Sequence, residues 1–364
     1  MEYVLFSCGN IKNILEKKGL VPKKIISFEA NEFDGKNIIS VYKYRSIYND
    51  EKILIPSFIS DDINVNNIYK QLVDLGFEEN NIYFIPIEQI LGDNELDYSK
   101  FYNYGKVTYL DYLEINIIDC CNMNCKGCSH FANLAPRTPK NFNEYYNDFK
   151  RLRELIPHIF KIRIMGGEPF LNKELKKYIE MIKKIYPYTD LRVVTNGLLI
   201  KKIDDDMVRC LKKNNIILDI SVYPPIRKHI DEIVFDLRSK GINAFLEHIS
   251  SFKPILLKEK QKYPYKKLEN CRCINLQSGY LSACPLSFTI KYFNNKYGDL
   301  YSQNLNLINI YDNITGYEIK KRLEQPFELC DYCAHYRDDL PFFKWEQRND
   351  NSELSDWVYK KGKE

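Results

Sequence analysis

Apolar and polar positions follow two periods along this 364-residue chain. Short apolar runs at 4–7, 24–28, 37–41, 52–56 and 82–85 predict strands. Between them, 11–18 and 65–75 repeat at helical spacing, with Ile68, Leu72 and Leu75 on one face. Strands alternating with helices predict a small parallel α/β sheet over residues 1–105. The alternation resumes with strands at 111–118, 159–165, 191–194, 216–221 and 244–247. Helices are predicted between them at 142–156, 172–186, 203–213 and 227–239. Tyr145, Phe149, Leu152 and Ile156 share one helical face, and Leu175, Ile179, Ile182 and Tyr186 share the next. Residues 106–250 therefore read as β/α repeats, whose active sites form at the C-terminal ends of the strands. Beyond 250 the repeats stop. Ser278 and Gly279 between two apolar runs predict a hairpin, and the polar stretch from Asn349 is expected to fray.

Composition narrows the function classes. Hydrophobic residues make up 45%, enough for ordinary cores, and the formal charge of +4 is spread along the chain, so nucleic acid is not an expected partner. No apolar stretch approaches the ~20 residues of a membrane span, and the N-terminus lacks the features of an export signal, so a cytoplasmic location is expected. Eleven cysteines in such a chain point to metal binding or catalysis before disulfides. Cys8 and Cys210 stand alone and read as buried small residues; the others fall in two groups.

The first group is the run CNMNCKGC at 121–128, placed where the strand at 111–118 ends. Cys121, Cys125 and Cys128 can wrap one corner of an iron–sulfur cluster and leave one iron without a protein ligand. The next two strands end in GGEP at 166–169 and TNG at 195–197, on the same rim. Cys120 has the wrong spacing to Cys125 and reads as structural.

These motifs resemble the radical S-adenosylmethionine (SAM) enzymes over residues 106–335. The resemblance implies a partial (β/α)6 TIM-type barrel at 106–250. It implies a 4Fe–4S cluster on Cys121, Cys125 and Cys128, with SAM on the open iron. It implies that Gly166 and Gly167 let the backbone approach the cofactor, and that Glu168 accepts from the SAM ammonium. More loosely, Thr195, Asn196 and Ser221 are expected to contact ribose and carboxylate. The reaction implied is reductive cleavage of SAM to a 5′-deoxyadenosyl radical that takes a hydrogen atom from substrate, with flavodoxin or ferredoxin as electron donor. One departure stands out. The family usually has an aromatic before the third cysteine, and here that residue is Gly127; His130 or Phe131 could substitute.

The second group lies in 251–364. The hairpin is expected to bring Cys273 and Cys284 together, and Cys330 with Cys333 adds a CxxC pair. This set resembles the twitch extension, the short relative of the SPASM domain, and implies one auxiliary 4Fe–4S cluster; a four-cysteine zinc site is the rival. Cys271 could replace Cys273, or be a free thiol near the substrate. The basic run at 258–267 reads as a solvated loop or an anion clamp. The segment at 1–105 resembles a Rossmann-like domain, with Gly9 and Glu29 as the remnants of a nucleotide fingerprint. Together these readings favour oxidation or epimerisation of a carbohydrate-like small molecule (a sugar or nucleotide-sugar). Maturation of a ribosomal peptide is the alternative, and a scaffold without turnover is disfavoured by the intact Gly166, Gly167 and Glu168.

Overall fold

The structure, a computed structural model, describes residues 3–6, 11–28, 38–56, 65–85, 89–90, 95–103, 108–187, 189–261, 271, 273–301, 305–335, 337–348 and 352–359. The chain divides into two compact units, Met1–Asp111 and Tyr112–Glu364.

The first unit contains β1 (Tyr3–Phe6), α1 (Ile11–Lys17), β2 (Lys24–Ser27), β3 (Ile38–Ser40), α2 (Val41–Arg45), β4 (Lys52–Pro56), α3 (Val65–Asp74), β5 (Ile82–Ile85) and β6 (Tyr102–Asn103). The sheet order is β3-β2-β1-β4-β5-β6, parallel except for the β5–β6 pair. This is a doubly wound α/β order that reverses at β1. Two details depart from the sequence pattern. The apolar run at 37–41 breaks at Val41, which starts α2 because Val41 and Tyr44 are both fully buried on that short helix. The edge strand β6 is too short to show a period; Asn103 fixes it by donating to the carbonyls of Glu79, Asn80 and Ile82. Gly9 and Glu29 lie outside the described residues.

The second unit begins its repeats within β7 (Tyr109–Ile118), from Tyr112 onward, and goes on through α4 (Phe142–Leu155), β8 (His158–Gly166), α5 (Leu175–Ile185), β9 (Asp190–Thr195), α6 (Asp205–Lys213), β10 (Ile217–Val222), α7 (Ile230–Ser239) and β11 (Asn243–His248). It continues with β12 (Ser251–Phe252), β13 (Leu256–Leu257), β14 (Asn275–Gln277), β15 (Tyr280–Ser282), α8 (Leu286–Tyr297), β16 (Ile308–Asn309), α9 (Gly316–Leu323), β17 (Phe343–Lys344) and β18 (Val358–Tyr359). The main sheet runs β11-β10-β9-β8-β7-β14-β15-β16. Strands β8 to β11 pair in parallel, β14 joins parallel on the far side of β7, and β15 and β16 continue antiparallel. The result is the expected α/β architecture with a partial barrel, β14 adding the sixth strand. Tyr145 ties α4 to both sides of this seam by donating to the carbonyls of Asn116 (2.9 Å) and Leu276 (3.2 Å). The hairpin forms as predicted. Ser278 and Gly279 take φ of 49° and 76°, the two positive values of a type I′ turn.

The C-terminal stretch is the clearest correction. Residues 352–359 do not fray: β18 pairs with β13, and Trp357 is fully buried against Phe131, Phe293 and Tyr297. Burying an indole removes enough apolar area to hold a segment that is otherwise polar. Among the described residues, no helix is long and apolar enough to cross a membrane.

His158 on β8 gives a pH prediction. Burial, helped by the Arg153 guanidinium, pushes its imidazole down to about 4 from 6.5. The unfolded chain therefore binds a proton that the folded chain refuses as pH falls from 6.5 towards 4, and stability falls with it. At 1.36 kcal/mol per pKa unit this contribution reaches roughly 3 kcal/mol. Urea unfolding of wild type and His158→Gln at pH 7 and pH 4.5 should show wild type losing the more stability at low pH. Equal losses would contradict the assignment.

Candidate active site

Three strand ends meet at the candidate site. The loop after β7 carries Cys121, Cys125 and Cys128, β8 ends in Gly166, and Thr195 ends β9. The ends of β7 and β8 are locked together: Gly167 N–H donates to the Ile118 carbonyl (2.9 Å) and Glu168 N–H to the Cys120 carbonyl (3.0 Å). This explains the paired glycines in a way the sequence did not. A Cβ at Gly166 would stand 1.9 Å from the Ile118 carbonyl oxygen, and one at Gly167 would stand 1.9 Å from that of Cys120. The glycines permit strand-to-loop contact within the protein, whatever else they permit towards a ligand.

Glu168 is completely buried and holds the third strand end in place. Its carboxylate accepts from Thr195 Oγ1 (2.9 Å), from Asn196 N–H (2.9 Å) and from Phe170 N–H (3.2 Å). Burial pushes its pKa up to about 7, while the Asn196 and Phe170 N–H groups and the Thr195 hydroxyl pull it back down. With three donors on two oxygens, one acceptor position of the carboxylate remains for a cation. Asn196 carries the chain onward. Its Nδ2 donates to Asn122 Oδ1 (2.7 Å) and to Cys121 Sγ (3.5 Å). Sequence reasoning missed Asn122; its position inside the cysteine run is the available signal. Ser221 stands on β10, beyond this network.

The thiols of Cys121, Cys125 and Cys128 lie within electrostatic reach of one another. Burial first, then the charge of Cys128, pushes Cys121 and Cys125 up to about 12, and burial raises Cys128. Among the described residues, no three Cys, His or carboxylate side chains already stand at metal-binding distances. The donor set nevertheless fits an iron–sulfur cluster. It offers three desolvated, mutually repelling sulfurs on one loop, which need a positive partner to ionise. Cys120 is buried and contributes its carbonyl; Cys210 is buried on α6.

Of the two residues expected to substitute for an aromatic at Gly127, one is used elsewhere. Phe131 is fully buried in the core with Phe293 and Trp357, and burial lowers the His130 pKa. At Gly127, φ is +68° and an added Cβ would fall 2.5 Å from the ring of Phe343.

The second cysteine group divides. Cys284 is raised by burial and then by Cys271, Cys333 and Cys330; Cys271 is pushed up to about 11 by burial and then by Cys333 and Cys330. Cys273 is pushed up to about 12 by burial, next by Glu114 and then by Cys271, with Arg163 opposing. Glu114 belongs to a polar network on the sheet. It accepts from Tyr112 and from Asn275 Nδ2 (2.9 Å), while Arg163 and Arg192 pair with Asp219 at 2.8 and 3.2 Å. Lys260, in the basic run, pairs with Glu328 and Asp331 at 3.7 and 3.6 Å; residues 262–267 of that run lie outside the described residues.

Comparison with known proteins adds family evidence. The model of the Radical SAM superfamily matches residues 115–251. A GTP 3′,8-cyclase of Thermodesulfovibrio yellowstonii is 36% identical over 113 residues, 30% of this chain and 35% of that protein. A GTP 3′,8-cyclase of Campylobacter lari is 27% identical over 263 residues, 65% of this chain and 78% of that protein. The match thus spans about a third of the first of these curated relatives. A crystal structure of BtrN in complex with AdoMet and 2-DOIA aligns with a TM-score of 0.41 at 14% identity, over 63% of this chain and 95% of that one. Residues 115–251 are a radical SAM domain.

Proposed function

We propose that the chain is a radical SAM enzyme in which Cys121, Cys125 and Cys128 hold the SAM-binding 4Fe–4S cluster. When bound there, such a cluster would supply the one-electron chemistry that reductively cleaves SAM to methionine and a 5′-deoxyadenosyl group able to take hydrogen from substrate. The observation that carries the reading is the unbroken hydrogen-bonded line from Glu168 through Asn196 to Cys121, which fixes three strand ends around one point. In this line Glu168 offers its remaining acceptor position to the SAM ammonium. Thr195 and Asn196 orient Glu168 and, with Gly166 and Gly167, would line the cofactor; Ser221 would contact it from β10. An electron donor of the flavodoxin or ferredoxin class supplies the electron.

The substrate we propose is carbohydrate-like, a sugar or nucleotide-sugar undergoing oxidation or epimerisation at carbon. The support is the Glu114, Tyr112, Asn275, Arg163 and Asp219 network, which gathers on one sheet carboxylates and a guanidinium, the group types that bind hydroxyls. The names of the curated relatives favour a second reading, in which a purine nucleotide is the substrate. The test offers deuterated sugars, nucleotide-sugars, GTP and a peptide to the reduced enzyme with SAM. Deuterium in 5′-deoxyadenosine from the sugars alone supports the proposal; transfer only from GTP or peptide overturns it.

An auxiliary 4Fe–4S cluster is proposed on Cys284, Cys330 and Cys333, with Cys271 as fourth ligand in place of Cys273. The support is that Cys284 and Cys271 each feel Cys330 and Cys333, whereas Cys273 feels Glu114, Cys271 and Arg163. Cys271→Ser should lose about four irons per chain and Cys273→Ser none. The opposite pattern would restore Cys273 as the ligand, and bound zinc with about four irons in wild type would replace the auxiliary cluster.

A further inference from the structure

The cysteine loop is closed over by a segment more than two hundred residues further along the chain. Lys126 N–H donates to the Glu346 carbonyl (2.9 Å), Arg348 N–H donates to the Asn124 carbonyl (2.7 Å), and Cys125 bridges to Gln347. The Lys126 ammonium sits 5.1 Å over the ring of Phe343 and 3.6 Å from Glu346. The segment is anchored elsewhere too: β17 pairs with β12, and Trp345 N–H donates to the Ser250 carbonyl (2.9 Å). At the loop's far end Trp357 Nε1 donates to the Cys128 carbonyl (2.9 Å).

Within this clasp one contact reaches a sulfur. Trp345 Nε1 donates to Cys125 Sγ at 3.2 Å, inside the range for a sulfur acceptor. The indole is held at that angle by Tyr223, whose ring lies 6.0 Å away, and Tyr223 in turn stacks on Phe252 at 6.2 Å. Phe252 is 6.3 Å from Phe343, the ring that fills the space a side chain at Gly127 would need. The glycine and the aromatic segment are thus two halves of one arrangement, since any larger residue at 127 would drive Phe343 away.

We propose that Trp345 is a positioning residue for the cluster site, its indole N–H acting on Cys125 to set the reduction potential. The inference rests on the radical SAM reading of the loop. A donor aimed at a ligating sulfur draws negative charge from it, and hydrogen bonds to cluster sulfurs are among the determinants of potential. The reduced state carries more negative charge than the oxidised state, so the donor stabilises it and raises the potential.

The test uses the full-length chain, reconstituted anaerobically, with potentials from EPR-monitored titration. Titrations with and without SAM identify the signal of the SAM-binding cluster. Trp345→Phe keeps an aromatic ring and removes the N–H. It should retain wild-type iron content, titrate at a more negative potential, and form 5′-deoxyadenosine more slowly with a mild reductant than with a strong one. Trp345→His, which restores a ring N–H, should move the potential back towards wild type. An unchanged potential in Trp345→Phe overturns the proposal. If Trp345→Phe takes up no cluster, Trp345→His decides: recovery supports the donor, and continued loss assigns Trp345 to packing instead. A wild-type chain that binds neither cluster nor SAM defeats the underlying reading.

Discussion

Serine at Cys121, Cys125 or Cys128 is expected to leave a folded chain with about four fewer irons and no detectable 5′-deoxyadenosine. The three positions should be equivalent in this respect, because three protein sulfurs leave no spare ligand when one is removed. Folding should survive, since Cys121 and Cys128 are only half-buried and serine is close to cysteine in size. Iron analysis and circular dichroism on the same samples check both halves. The neighbouring Cys120→Ser is the control and should keep its iron, because Cys120 serves the site through its backbone carbonyl. A Cys125→Ser chain with full iron and full activity would remove that residue from the ligand set.

The second large effect is expected from Gly167→Ala. The new Cβ would lie 1.9 Å from the Cys120 carbonyl oxygen, 2.1 Å from its carbon and 2.7 Å from the Asp119 oxygen. All three atoms are backbone, so no rotamer change relieves the overlap, and β8 must separate from the cysteine loop. That separation breaks the Gly167 and Glu168 N–H bonds and disturbs the route by which Glu168 reaches Cys121 in this network. The expected result is a chain that fails to take up its first cluster, or that misfolds. Gly298→Ala makes a fair comparison, since φ there is +89° but nothing lies within 4 Å of the added atom. It should cost only the strain of a left-handed residue, about 1–2 kcal/mol, and keep its iron. Thermal melts and iron content of the two variants test this, and similar behaviour in both would discount the overlap.

The parts of this molecule that sequence makes legible share a property: their information is local. The helical faces of α4 and α5, the hairpin turn at Ser278 and Gly279, and the cysteine run each state their geometry within a few residues. The rim motifs are legible because β/α repeats return every strand end to one side. What escapes is set by contacts distant along the chain. Trp345 meets Cys125 across 220 positions, and Trp357 meets Cys128 across 229. The strands that carry the C-terminal clasp, β17 and β18, are two residues long each and have no period to read. The polar composition of the tail therefore suggests fraying, although Trp357 within it is the available sign of burial. Gly127 reads in the sequence as a lost aromatic. In the fold it is the space that Phe343 occupies, a reason that a single position cannot display. Cys271 and Cys273 are two residues apart, and choosing between them needs the placement of Cys330 and Cys333.

The Glu168→Gln variant separates structure from chemistry at the same site. A glutamine side chain there would turn an NH₂ group towards donors that now share a carboxylate, and an unsatisfied buried donor costs about 1–3 kcal/mol. On the proposed reading it would also remove the charge meant for the SAM ammonium, so SAM binding should weaken by more than the loss of stability explains.

If this loop and these strand ends cleave SAM, the most direct measurement is 5′-deoxyadenosine formed by the wild-type chain. The assay adds dithionite and SAM after anaerobic reconstitution, without any substrate. The expected result is slow, reductant-dependent accumulation of 5′-deoxyadenosine and methionine in equal amounts, absent from the Cys121→Ser chain. A wild-type chain with its cluster intact that forms neither product would contradict SAM cleavage at this site.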